Sequence, residues 1–500
     1  MTEAQEGIKQ KNPWHRHLIA IITVLMVVGV VALVTTAVVQ NRSLPQKLKY
    51  GIVLDAGSSH TALYIYQWPA EKMNDTGLVQ QLKCCNVKGP GISSYWMDVG
   101  AAGRSLKQCL DEAKETIPEQ QHRETPVYLG ATAGMRLLSL QNHTQSERLL
   151  HSVEEFISFY PFNFQGARII NGQDEGAFGW ITINYLMENF LQDSAEGNPE
   201  TLGAMDLGGA STQITFVPDG KIESEQSSLH FRLYGKSYNM YTHSYLCYGK
   251  DQALKLLLEK LNVSDNGTIF SPCFNKGYTR SINVTAFYNS PCTPGQHSTT
   301  HQTVSLIGTG DSDQCSNHVR SIFNFTSCTW SSCSFDGVYQ PEVQGRFGAF
   351  SAFYFVMKFF NLVEGGPHDP DKVKQILDKF CSRSWDEIQQ TYLIKEKYLS
   401  EYCFSGHYIL ILLNNVYNFT SSNWNTINFM KKIKGSDAGW TLGYMLNLTN
   451  MIPAELPYSK PLTQASYTTV MVIFSLLLVI LILLVSLIVW KRHCRAEKKI

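Results

Sequence analysis

Two segments of this chain, Asp55-Ala56-Gly57-Ser58-Ser59-His60-Thr61 and Asp206-Leu207-Gly208-Gly209-Ala210-Ser211-Thr212, repeat one pattern. In each, an apolar run ends in Asp, and a spacer, Gly and a hydroxyl-rich turn follow. Upstream lie Tyr50-Gly51-Ile52-Val53-Leu54 and Leu202-Gly203-Ala204-Met205, and downstream lie Ala62-Leu63-Tyr64-Ile65-Tyr66 and Gln213-Ile214-Thr215-Phe216. Each unit therefore reads as strand, tight turn, strand. Glycine lets a backbone approach an anion with no Cβ in the way, while turn N–H groups and hydroxyls donate to phosphate oxygens. An Asp at a strand end can hold a divalent cation, directly or through its waters. Two such turns facing each other would grip a polyphosphate and its metal from both sides. A single Asp-x-Gly means little, because turns are full of Asp and Gly. The pair, roughly 150 residues apart with matching flanks, carries far more weight.

At 500 residues the chain is too long for one ordinary core, so two domains are expected. Lys plus Arg and Asp plus Glu balance at 42 each, with no basic stretch in the interior, which gives no support for nucleic-acid binding. Leu18 to Val39 and Val470 to Trp490 are uncharged and long enough to span a bilayer. Lys491, Arg492, Arg495, Lys498 and Lys499 follow the second span and argue for a cytoplasmic C-terminus. Two spans put both termini on the same side. The alternative for the first, a cleaved signal peptide, asks for a shorter apolar stretch; the central region is exported either way.

Cysteines and sequons point to the same compartment. Of the 12 cysteines, those from Cys85 to Cys403 form a plausible oxidised framework, and no CxxC pair is present. N-x-[ST] sequons occur at Asn41, Asn74, Asn142, Asn262, Asn266, Asn283, Asn324, Asn418 and Asn447. Asn41 adjoins the first span and is expected to stay unmodified, leaving eight candidates for glycosylation.

Strand-like runs such as Val127-Tyr128-Leu129-Gly130 alternate with helical stretches such as Ser146 to Tyr160, which favours an α/β layout. Ser146 reads as the N-cap of that helix. The cysteine- and sequon-rich stretch from about 262 to 336 reads as a disulfide-stapled elaboration, and Phe347 to Phe360 as a buried helix.

Five segments together carry a family resemblance: DAGSSHT from Asp55, GATAGMRLL from Gly130, GQDEGAFGW from Gly172, DLGGASTQ from Asp206 and GSDAGWTLGYMLNLTN from Gly435. With the two flanking spans, this order resembles the ecto-nucleoside triphosphate diphosphohydrolases, the cell-surface apyrases. The resemblance implies two actin-like (ribonuclease H-like) α/β lobes with the nucleotide in the cleft between them. One lobe is expected at 48–171 closed by 437–465, the other at 172–436, with a transmembrane helix at 18–39 after a cytoplasmic N-terminus (1–17) and another at 470–490 before a cytoplasmic tail (491–500). It also implies hydrolysis of extracellular ATP and ADP to AMP at the plasma membrane, regulating purinergic signalling, with Ca2+ or Mg2+ as cofactor; a homo-oligomer is left open.

By the same resemblance Glu175 is the catalytic base, and its neighbour Asp174, which the residues alone do not separate from it, is not. Ser211 and Gln213 match residues that orient the attacking water. Ser58, Ser59, His60, Thr132, Gly208, Gly209 and Ala210 match phosphate contacts. Asp55 and Asp206 would hold the metal largely through waters, with Trp440 beside them. Phe355 and Tyr402 match the aromatics that sandwich the base, and Lys250 a basic residue near the nucleotide. The implied disulfides are Cys85–Cys109, Cys247–Cys292, Cys273–Cys315, Cys328–Cys333 and Cys381–Cys403, leaving Cys84 unpaired. An actin-like phosphotransferase and an inactive glycosylated receptor or adhesion protein are the competing readings, since fold does not prove function.

Overall fold

In the computed structural model the described residues are 14–40, 48–70, 78–190, 201–233, 236–288, 290–293, 301–363, 369–451 and 462–497. Asn74 lies outside them. They fall into two compact units, 48–454 and a pair of terminal segments.

Within the larger unit the chain builds one sheet twice. In the first, β1 (Leu48–Ala56), β2 (Thr61–Pro69), β3 (Gln80–Asn86), β4 (Pro126–Ala131) and β5 (Asn163–Ile169) lie in the order β3-β2-β1-β4-β5. In the second, β6 (Gly203–Leu207), β7 (Ser211–Phe216), β8 (Ser228–Leu233) and β9 (Lys236–Leu246) lead into a small insertion. The insertion is the parallel and antiparallel trio β10 (Thr268–Ser271), β11 (Thr279–Asn283) and β12 (Thr303–Gly308). With β13 (Phe347–Ser351) and β14 (Ile427–Phe429), the second sheet runs β14-β13-β6-β7-β9-β8. Apart from the added β8, both sheets share one plan. A tight antiparallel turn joins the first two strands, a third extends them, and two strands add in parallel on the other side. Antiparallel neighbours need only a turn, whereas parallel ones need a crossover, and here helices supply it.

Strand alternation sorts the side chains into three cores. Ile52, Leu54, Leu63 and Ile65 pack with Leu110, Leu149 and Val153 on the outer face of the first sheet. Met205, Leu207, Ile214 and Phe216 join Leu257, Phe353 and Tyr408 on the outer face of the second. Val53, Tyr66, Trp68, Ala204 and Phe350 share the layer between, filled by helices Gly172–Leu186 and Trp440–Met451. Those helices cross closely: a Cβ on Gly443 would stand 2.0 Å from the Phe178 carbonyl oxygen, and the Gly443 N–H donates to Thr182 Oγ1 at 2.8 Å.

Two local expectations give way to tertiary context. The apolar run 347–360 is the strand β13 followed by helix Ala352–Phe359, broken at Ser351; a short apolar run does not by itself distinguish strand from helix. The first-sheet helix begins at His143, capped by the Asn142 side chain on the Gln145 N–H at 3.0 Å, so Ser146 is a buried interior residue.

Five disulfides join Cys85–Cys109, Cys247–Cys292, Cys273–Cys315, Cys328–Cys333 and Cys381–Cys403, and Cys84 is free. Asn142, Asn262, Asn266, Asn283, Asn324 and Asn418 are exposed, whereas Asn447 is half-buried on a packed helix. In the smaller unit His17–Gln40 and Gln464–Lys491 are long and apolar enough to cross a membrane. The Gln40 amide bonds both backbone groups of Leu462, at 2.9 and 3.2 Å, tying the ends of these helices together.

Gly443→Ala should force the two central helices apart. We expect a loss of about 1–3 kcal/mol, read as a lower midpoint in thermal melts, as overpacking a dense core typically costs; an unchanged midpoint would contradict the close crossing.

Candidate active site

The parity that places Val53 and Ala204 in the middle layer also turns Asp55 and Asp206 toward it. Each sits just before the turn that ends its strand, with Asp55 opposite Ala62 and Asp206 opposite Gln213. The second turn is fixed from below by helix Lys250–Glu259, whose first N–H groups, at Lys250 and Asp251, donate to the carbonyls of Gly208 and Gly209 at 2.9 Å each. The two turns face one another: a Cβ on Gly209 would meet Ser58 Oγ at 2.9 Å and Ser59 Cβ at 3.4 Å. The Gly130–Gly134 turn lies against the first, with the Thr132 N–H donating to the Ala56 carbonyl at 3.1 Å.

Asp174 and Glu175 separate at the start of helix Gly172–Leu186. Asn171 caps the helix, accepting from the Asp174 N–H at 2.7 Å and donating its amide to the Asp174 carboxylate at 2.8 Å. Asp174 is thereby held at the helix end. One residue on, about 100° around the helix, Glu175 is buried beneath the turns. Its Oε2 accepts from Arg136 Nη2 at 2.5 Å and Gln213 Nε2 at 3.1 Å. Ser211 Oγ accepts from the same two groups, at 2.7 Å from Gln213 and 3.2 Å from Arg136. Ser244 Oγ, opposite Gln213 on β9, is 2.9 Å from Gln213 Nε2 and 3.5 Å from Arg136 Nη1.

Arg136 and Ser244 are additions to the residues singled out from the sequence. Arg136 stands inside the GATAGMRLL segment, one turn into the helix after Thr132, where its reach toward Glu175 depends on the fold. Ser244 carries no local signal, because its place follows only from the pairing of β7 with β9.

Three carboxylates in this cleft hold their protons unusually well. Burial lifts Glu175 to about 7, with Arg136 drawing it down and Asp206 pushing it up. Burial lifts Asp206 to about 6 against a hydrogen bond from Ser351. Asp55 is raised well above the carboxylate range, first by burial and then by Glu175 and Asp206, against a hydrogen bond from Trp440. The Asp55 residue keeps some open surface, yet its Oδ1 is enclosed and has no hydrogen-bond partner. Orphaned carboxylate oxygen among like charges fits a divalent cation, which replaces repulsion by attraction. Among the described residues the one close set of ligand-type atoms is Cys315, Cys403 and His407, and both cysteines are in disulfides.

The outlying candidates sit differently. His60 is exposed beside Ser59, its ring nitrogen Nδ1 3.2 Å from Ser59 Oγ; partial desolvation by the surrounding protein holds its pKa down against the pull of Asp251. Lys250 is no solvated charge: its ammonium lies 2.7 Å from both Asp251 and Glu401, and these outweigh burial to raise its pKa. Phe355 is 52% exposed, with Lys431 Nζ 5.5 Å from its ring centre. Tyr402 stacks on Phe359, nearly parallel, with ring centres 3.8 Å apart.

With this geometry in place, relatives decide the family. The GDA1/CD39 (nucleoside phosphatase) family model matches residues 41–465. The chain belongs to this family. It is 53% identical to mouse ectonucleoside triphosphate diphosphohydrolase 1, over 94% of each chain. It is 49% identical to ectonucleoside triphosphate diphosphohydrolase 1 of Bos taurus, over 95% of this chain and 96% of that one. With ectonucleoside triphosphate diphosphohydrolase 2 of Gallus gallus it shares 45%, over 90% and 92%. A solved structure of nucleoside triphosphate hydrolases from Neospora caninum superposes with a TM-score of 0.60 at 15% identity, covering 85% of this chain and 96% of that one, which shows a shared fold.

Raised native pKa values mean that the folded state binds protons the unfolded chain releases. Without divalent cations, the carboxylates should therefore favour folding fully at low pH and lose that contribution as pH rises from about 4 through about 7. Thermal melts of the chelator-treated protein should show added calcium raising the midpoint more at pH 7.5 than at pH 5. An equal shift at both would contradict cation binding to these groups.

Proposed function

We propose that the chain hydrolyses extracellular nucleoside tri- and diphosphates, taking ATP and ADP to AMP and phosphate and so regulating purinergic signalling. The observation that carries this reading is one buried carboxylate, Glu175, held by Arg136 and Gln213 beside two facing Asp-ended turns. Membership of a nucleoside phosphatase family and the names of the relatives support it.

Phosphoanhydride hydrolysis needs a positioned water, a base and neutralisation of the charge spreading over the phosphoryl oxygens. The N–H groups and hydroxyls of Ser58, Ser59, Gly209 and Ala210 receive the phosphates, flanked by His60 and by Gly208, whose own N–H closes the turn on the Ser211 carbonyl at 3.0 Å. Ser211 Oγ already accepts from Gln213 and Arg136, so its own proton is left to donate to a water. Glu175 has both donors on Oε2, which leaves Oε1 to take the proton of that water. A value near 7 suits a base at neutral pH, balancing ionised fraction against proton affinity. Asp55 and Asp206, with Thr132 and Trp440 beside them, would hold calcium or magnesium largely through its waters. When bound, the ion supplies charge neutralisation on the phosphoryl oxygens. Phe355 and Tyr402 are assigned to the base, and stacking tolerates every base; Lys250 braces Asp251 and Glu401 near the second turn.

We assign 48–171 with 437–465 to one lobe and 172–436 to the other, a division supported by the repeated strand order. We place the catalytic unit outside a plasma membrane with both termini cytoplasmic. Two apolar helices, the basic cluster after the second and the five disulfides support this placement.

Glu175→Gln should lower turnover at least about 10²-fold while nucleotide binding persists, because size and polarity are kept and only the base is lost. Asp174→Asn should do far less. Intact cells expressing the parent chain, given ATP and calcium, should release phosphate and AMP. Phosphoryl transfer to an acceptor other than water would favour a phosphotransferase, and no turnover would favour an inactive receptor.

A further inference from the structure

The Gln213 amide has more acceptors around it than it has protons to give. Ser211 Oγ stands 2.7 Å from its Nε2, Ser244 Oγ 2.9 Å and Glu175 Oε2 3.1 Å. An amide nitrogen carries two protons, so one of these acceptors is always in reserve. Glu175 decides which end of the amide faces it, because an ionised carboxylate only accepts. Ser211 and Glu175 are the groups assigned to the attacking water. Ser244 is not, and nothing assigned to the phosphates touches it.

Ser244 lies directly opposite Gln213 in the pairing of β7 with β9, so the two side chains share a face of the sheet. Two residues away on that face Thr215 and Thr242 form a rung of their own, with hydroxyls 2.8 Å apart. Helix Gly172–Leu186 comes down on both rungs at two glycines. A Cβ on Gly172 would stand 2.3 Å from Ser244 Oγ and from Arg136 Nη1, and one on Gly176 would stand 2.6 Å from Thr215 Oγ1 and 3.0 Å from Thr242 Oγ1. The threonine rung bonds to itself and to the Gln173 carbonyl, whereas the Ser244 rung runs on through Gln213 to Ser211 and Glu175. We propose that Ser244 is a positioning residue for hydrolysis, the reserve acceptor that keeps the Gln213 amide in place while Ser211 and Glu175 engage the attacking water. As Glu175 Oε1 takes the proton of that water, its carboxyl loses charge and Oε2 becomes a weaker acceptor. The N–H it held passes to Ser244, and the amide need not move. The proposal rests on the hydrolytic reading above and deepens it at the water-orienting amide.

A double-mutant cycle in the full chain tests it, with parent, Ser244→Ala, Gln213→Ala and the double variant compared by turnover of ATP and of ADP per nucleotide-binding site. Ser244→Ala alone should lower kcat about 3- to 10-fold for both nucleotides, the scale of one neutral hydrogen bond. The KM should stay within about twofold of the parent, since the phosphate-receiving groups are unaltered. In the Gln213→Ala background the same substitution should change kcat by less than about twofold, because the group it acts through is gone. Thr242→Ala, which breaks the neighbouring rung, should lower the melting midpoint and leave turnover per binding site within about twofold of the parent. Effects of Ser244→Ala and Gln213→Ala that multiply, parent-like turnover per site in Ser244→Ala, or a Ser244→Ala chain that does not fold would each overturn the proposal. A parent chain that hydrolyses nothing would instead defeat the hydrolytic reading, and the role of Ser244 with it.

Discussion

Asp55, Asp206 and Glu175 reach one cleft from three segments, and none can shed its charge into bulk water there. Burial raises all three; Glu175 and Asp206 make ionisation of Asp55 harder, and Asp206 makes that of Glu175 harder. A protein interior does not keep such a group of like charges without a compensating cation or a shared proton. Much of the surrounding structure follows from that condition: Arg136 on Glu175, and a turn on either side able to receive a polyanion together with its cation.

The duplicated sheet is the economical way to meet that condition. One strand-turn-strand unit ends in an acid and a turn of donors; two such units, placed on the faces of a shared helical layer, bring two acids and two turns to a single cleft. Helix Gly172–Leu186 fills that layer and also carries Glu175, so the base is fixed by the same packing that joins the sheets. The close approach at Gly443 and the buried pair Tyr66 and Thr441, 2.8 Å apart, hold the layer in register.

What was legible in the sequence is what local chemistry encodes. The Asp-Gly turns, the apolar spans and the alternating strands follow from residue type and spacing, and the disulfide pairing and the choice of Glu175 over Asp174 came from family resemblance. Features set by distant partners were not legible. Phe347 to Phe360 reads as uniform apolar sequence, and its break at Ser351 comes where the pairing with β6 ends. Lys250 looks like a surface cation until Glu401, far along the chain, comes to lie beside it. Ser244 enters the site only through strand register, and Tyr402 finds Phe359 because two helices pack.

In the proposed mechanism both turns grip one polyphosphate and its cation, with Glu175 facing the terminal phosphorus through a water. The most direct measurement is a crystal or cryo-electron-microscopy structure of the full chain with calcium and a non-hydrolysable nucleoside triphosphate. We expect the terminal phosphate between residues 57–60 and 208–211, the ion bridged by waters to Asp55 and Asp206, and a water between Glu175 and the terminal phosphorus. A triphosphate bound by only one of the turns, or with its terminal phosphorus remote from Glu175, would contradict it.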